Sequence, residues 1–247
     1  MSKGATWSMR SLARMTGLLY LVIIVCAGFS EGYVRSTVLV PGDAAATAGN
    51  ILAAEGLFRL GFVTDLIAFL ADAAVAVLFY VLLRPVSETV SLLAAAFRLV
   101  AHPAIASVNL LNHFSVLLLL GGASYLDAFS THQLQALALL SLQIHRYGYL
   151  IGGAFFGVHC ALLGYLIVRS TAFPRLLGFL LFAASAGYLF ESLSFFLAPS
   201  LESLASGLVV ATAGVAEVSL CFWLLIKGVR DAGDGGDLLA SSTSAET

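Results

Sequence analysis

Six stretches of this chain, about 14–34, 57–83, 87–120, 145–169, 175–197 and 204–227, are apolar over lengths that a water-soluble fold has no use for. About 20 such residues carry a helix across the roughly 30 Å hydrocarbon core of a bilayer. Hydrocarbon offers no hydrogen bonds, so a spanning segment must satisfy its own backbone, which a helix does. Composition agrees: 60% of the residues are hydrophobic and 11% are charged, against roughly 25% charged in a soluble domain. The expected fold is an all-α integral membrane bundle of six transmembrane helices. Its breaks fall at Pro41-Gly42-Asp43, Arg84-Pro85, Gly121-Gly122, Phe173-Pro174-Arg175 and Pro199-Ser200.

Basic residues set the orientation, because they collect on the cytoplasmic side. With the N-terminus cytoplasmic, that side holds Lys3, Arg10, Arg14, Arg84, Arg169, Arg175, Lys227 and Arg230. The other side holds Arg35, Arg59 and Arg146, and Arg98 falls within a span. Both termini are therefore expected in the cytoplasm. The basic start followed by an apolar run resembles a secretory signal, but the run is too long and reads as an uncleaved first span. The expected organisation is a cytoplasmic segment over 1–13, a six-helix domain over 14–228 and a disordered cytoplasmic tail over 229–247, rich in Gly, Ser and Asp. Residues 87–120 would form a helix of about 50 Å, with a kink expected at Pro103. Residues 131–144 carry Leu134, Leu137 and Leu140 at helical spacing, which predicts a short interfacial helix ahead of a crossing that starts near His145. The loop 36–56 is long enough to cover what lies beneath it.

Ionisable residues inside spans are costly and turn toward protein or water. Counting along each helix places Asp72, Arg98, His159 and Glu217 in one layer about 15–18 Å from the cytoplasmic end. Glu31, Asp65, His102 and Glu191 form a second tier about 21–28 Å deep, and His113, His145 and Arg146 stand at the outer rim. Asp65 and Asp72 share a helix face, as do Arg98, His102, Asn109, Asn112 and His113, and again His145, Tyr149 and His159. These stripes predict a polar chamber inside the bundle that opens outward. Two smaller readings stand beside it. Arg98 at equal depth can simply neutralise Asp72 and fix helix register, and Glu31 with Arg35 can form an i, i+4 pair at a helix end. The full set is harder to absorb that way, since five carboxylates face one embedded arginine and need protons, water, a cation or a histidinium for balance.

Other motifs are absent. There is no HExxH, no GxSxG and no phosphate-binding glycine loop. Net charge is −2, so nothing suggests nucleic acid. Cys26, Cys160 and Cys221 sit in apolar runs and are expected as small packing residues. Gly157, Ala161 and Gly164 have the spacing of a close helix crossing. Without the Glu-x-x-His spacing of di-iron bundles, no metal and no cofactor is assigned, and no catalytic residue.

A local pattern adds a resemblance. Phe155-Phe156-Gly157-Val158-His159-Cys160, then Leu163-Gly164-Tyr165-Leu166-Ile167, Arg169-Ser170, Phe173-Pro174-Arg175, Leu177-Gly178 and Gly187-Tyr188, resembles the bacterial membrane family called domain of unknown function 4386. The resemblance covers about residues 14–228 and is most specific between Phe155 and Tyr188. It implies a multi-pass architecture in a bacterial inner membrane and transfers no site residues. The expected partners are the lipid bilayer and a small solute, ion or lipophilic ligand. A small-solute or ion- or proton-coupled carrier or accessory role is expected, with a membrane-embedded enzyme or metal or cofactor binder as the alternative.

Overall fold

The structure is a computed structural model that describes residues 7–229. Lys3, Arg230 and nearly all of the expected tail lie outside the described residues. Among those described there are six helices long and apolar enough to cross a membrane. They are α1 (Met9–Val38), α3 (Glu55–Leu83), α4 (Glu88–Leu120), α5 (Thr131–Arg169), α6 (Arg175–Leu197) and α7 (Pro199–Ile226). A short apolar helix, α2 (Ala44–Ala53), lies between the first two.

Local chemistry explains most of the boundaries. Ser87 caps α4 by accepting the amide of Val90. Ser130 and Gln133 close a reciprocal capping box at the start of α5, satisfying donors that the first helical turn leaves free. Asp43 caps α2 through Ala46. Just before it, Pro41-Gly42 makes a turn closed by Asp43 N–H to the Val40 carbonyl at 3.1 Å. Gly42 there has φ +78°, a conformation costly for any residue with a Cβ.

The six long helices close into a ring in which each packs against its neighbours in sequence, and α7 returns to α1. Small residues permit the closest approaches. A Cβ on Gly164 would lie 2.8 Å from the Gly178 carbonyl oxygen, and one on Gly178 would lie 2.7 Å from that of Gly164, so α5 and α6 cross backbone against backbone. Gly17 of α1 faces Leu224 and Leu225 of α7. The end of the ring where α1 begins and α7 stops is its near end, and there Gly228 also meets Arg10.

Two features differ from the sequence expectation. Residues 131–144 are helical, but they run without a break into the crossing as one 39-residue helix, with α2 packed on α5. The irregularity expected at Pro103 takes a form that the sequence did not specify. Pro103 lies in a π-helical run, Val100–Ala106, where the wider turn accommodates the missing N–H. A second π-helical run, Gly28–Arg35, interrupts α1. It carries Glu31 and Arg35, so the first span reaches further than 34.

The near half of the ring is a dry core. Val75, Phe79, Leu82, Leu83, Leu163, Leu166, Ile167, Leu220 and Leu224 fill it. The far half is where the polar residues gather.

Candidate functional site

One residue from each long helix meets in a belt about nine to thirteen residues from the near end, which is roughly 14–20 Å at helical rise. The six are Tyr20, Asp72, Arg98, His159, Tyr188 and Glu217. Arg98 is fully buried. Its Nη2 donates to Asp72 Oδ1 at 2.5 Å and its Nη1 to His159 Nε2 at 3.1 Å. The guanidinium lies over the rings of Tyr20 at 4.9 Å and Phe156 at 5.0 Å, a placement that suits a desolvated cation. A guanidinium only donates, so His159 accepts at Nε2 and carries its proton on Nδ1, which donates to the Ala94 carbonyl at 2.8 Å. On the other side of the belt, Glu217 accepts the hydroxyls of Tyr188 at 2.6 Å and Tyr20 at 3.1 Å. His102 reaches down from the π-helical run of α4, its Nδ1 3.3 Å from Asp72 Oδ2.

A second cluster repeats this chemistry nearer the far end. Arg35 donates to Asp65 Oδ2 at 2.8 Å, Glu31 Oε1 at 2.6 Å and His113 Nδ1 at 3.3 Å. The Nε2–H of His113 donates to the Phe58 carbonyl at 3.1 Å, and its ring stacks on Phe58 with centroids 3.9 Å apart. The protein thus holds two buried Arg–Asp–His sets. In each, the arginine joins a carboxylate of α3 to the bare nitrogen of a histidine anchored on a backbone carbonyl. Beside the upper set, His145 and Asn109 bond reciprocally through side chain and backbone, at 3.1 and 2.6 Å, and Gly148 leaves the space that Asn109 occupies. His145 Nε2, Tyr149 Oη and Asp65 Oδ1 are buried without a hydrogen-bond partner.

Between the clusters lies a cavity of about 840 Å³, within the size range of small-molecule sites. Its polar lining includes Glu31, Arg35, Asp72, His102, His145, Arg146, Tyr149, Tyr188, Glu191, Ser206 and Glu217. Its apolar lining includes Ile23, Ile24, Ala27, Ala68, Phe69, Leu150 and Val210. The belt lies on its near side, with the dry core beyond. At the far end Arg146 pairs with Glu202 at 2.5 Å and covers the Phe195 ring at 4.7 Å. Glu191 accepts from Ser206 at 2.9 Å.

The structure therefore brings Asp72, Arg98, His159 and Glu217 into one layer, with His102 joined to it. Asp65 and Glu31 meet in the upper cluster, and Glu191 stands on the cavity wall. His113 and His145, expected at the outer rim, are buried in the upper cluster at 0% and 2% exposure. Arg35 is corrected: it is not a loop residue beyond the span but a buried group on the π-helical run of α1. Two arginines, not one, are embedded among the five carboxylates. Its place four residues after Glu31 was the one available signal. Tyr20, Tyr149 and Tyr188 gave no charge pattern to follow. Among the described residues, no group of three or more His, Cys, Asp or Glu is arranged to hold a metal ion.

Residues 15–228 match the family described as Domain of unknown function (DUF4386). An uncharacterized protein of Archaeoglobus fulgidus is 35% identical over 158 residues, which is 64% of this chain and 76% of the relative. No solved structure matches.

Proposed function

We propose that this chain, which belongs to the family Domain of unknown function (DUF4386), is a multi-pass membrane receptor or carrier that takes up a small amphiphilic solute from one face of the bilayer. The observation that carries this reading is the sidedness of the interior. A cavity of about 840 Å³ reaches Glu217 and Asp72, and beyond them the ring is packed with aliphatic and aromatic side chains. Polar groups are expensive in a membrane interior and mark ligand or ion pathways. Here they line a space that such a pathway would need.

The basic residues orient the chamber. Arg10, Arg14, Arg84, Arg169, Arg175 and Lys227 lie toward the near end. With Arg35 withdrawn into the bundle, the far end keeps Arg59 and Arg146. The near end is then cytoplasmic, both termini with it, and the chamber faces outward. The membrane is the cell membrane, which in a bacterium is the inner one.

Native mass spectrometry of protein released from its expression membranes in mild detergent tests the reading. A small-molecule adduct is expected on the wild type and should be lost in Ala27→Trp, which fills the chamber from α1. An identical, adduct-free spectrum for both proteins would remove the proposal.

A further inference from the structure

The lining of the chamber specifies the charge of its occupant, which deepens the receptor reading and rests on it. Each arginine nearby is already committed: Arg35 to Glu31 and Asp65, Arg98 to Asp72, Arg146 to Glu202. Two carboxylates on the cavity wall are left with hydroxyl donors alone. Glu217 receives Tyr20 and Tyr188, and Glu191 receives Ser206. Neither has an ion-pair partner within 4.0 Å among the described residues, although Arg98 acts on Glu217 and Arg146 on Glu191 at longer range.

A separate observation on another helix has the same sense. His145 lines this cavity and is 2% exposed. Its Nδ1–H is spent on the Asn109 carbonyl, which leaves Nε2 as a bare acceptor with no partner. A buried acceptor without a donor is costly. Tyr149 Oη and Arg35 Nε, on residues of the same lining, are unpartnered as well, but each arginine there already holds a carboxylate, so a ligand that supplies positive charge and donors matches the two carboxylates left with hydroxyl partners. Tyr188 and Tyr149 add aromatic faces that attract a cation. Ile23, Ile24, Ala27, Leu150 and Val210 offer a bed for an apolar body.

We infer that the chamber binds an amphiphilic organic monocation, with its charged head on Glu217 beside Tyr188 and its apolar part against α1 and α7. Glu191 stands three residues beyond Tyr188 on α6, about 4.5 Å nearer the far end, and meets the cation on its way in.

Two ions of nearly equal shape and opposite charge test this. The purified full chain in detergent is dialysed to equilibrium against tetraphenylphosphonium or tetraphenylborate, and saturable binding is measured. Tetraphenylphosphonium should bind about tenfold or more tightly than tetraphenylborate. Glu217→Gln should cost about tenfold in affinity, Glu191→Gln less, and Glu217→Asp should retain binding. Equal binding of the two ions by the wild type overturns the inference whether or not any variant folds, and so does unchanged affinity in folded Glu217→Gln. If the adduct of the preceding test is present but tetraphenylphosphonium is not preferred, only the cationic class falls. If the adduct is absent as well, the receptor reading falls with it.

Discussion

Arg98 and His159 meet at 3.1 Å with the guanidinium as donor, so a histidine on α5 is held in a single tautomer by an arginine on α4. The same guanidinium bonds Asp72 of α3. Three helices are therefore fixed to one another through one buried cation, away from water.

Breaking one partner of this set should cost far more than removing both. Asp72→Asn leaves Arg98 buried without its hydrogen-bonded counter-charge, with Glu217 acting only at longer range, and a loss of about 3–5 kcal/mol is expected. Asp72→Asn combined with Arg98→Met should recover most of it. Reversible unfolding in mixed micelles measures both. A single variant as stable as the wild type would mean that the pair is not desolvated as described.

The upper set makes a parallel prediction. Asp65 and Asp72 lie seven residues apart on α3, about 10 Å, and each serves its own arginine. Asp65→Asn should destabilise strongly, and its effect should add to that of Asp72→Asn within about 0.5 kcal/mol. A large coupling energy in the double-mutant cycle would show that the two sets act as one network.

Packing at the α5–α6 crossing is tested at Gly164. Its missing Cβ faces the Gly178 carbonyl oxygen at 2.8 Å, and a rigid backbone cannot move aside as a flexible side chain does. Gly164→Val should cost about 1–3 kcal/mol through overpacking, read as a lowered midpoint in the same unfolding assay. Gly207→Ala, which meets nothing within 4 Å, should stay within about 0.5 kcal/mol.

The six crossings were legible because bilayer thickness acts directly on the length of an apolar run. The depth of Asp72, Arg98, His159 and Glu217 was legible for a related reason: helical rise converts residue number into height. Arg35 was not, because the turn of sequence around Glu31 and Arg35 reads as a polar helix end. Burial there depends on the Asp65 carboxylate, on another helix, acting together with Glu31. The partners of Glu217 were hidden too, since Tyr20 lies 197 residues away in sequence and a tyrosine in an apolar run carries no charge to betray it. α2 packs beside the first part of α5, with Ile51 in one cluster with Ala138 and Leu142, a long-range contact that no periodicity in 131–144 records.

A chamber that takes ligand from one face must enter the ring from the far end and stop at the level of Glu217. Single cysteines on α7, in a background with Cys26, Cys160 and Cys221 replaced, measure this directly with a membrane-impermeant maleimide on sealed vesicles of known orientation. Ser206→Cys and Val210→Cys should react from one face only, while Leu220→Cys and Leu224→Cys, buried at 0% exposure in the wild type, should react from neither. Labelling at the two leucine positions, or no labelling at Ser206 and Val210 from either face, would contradict the account.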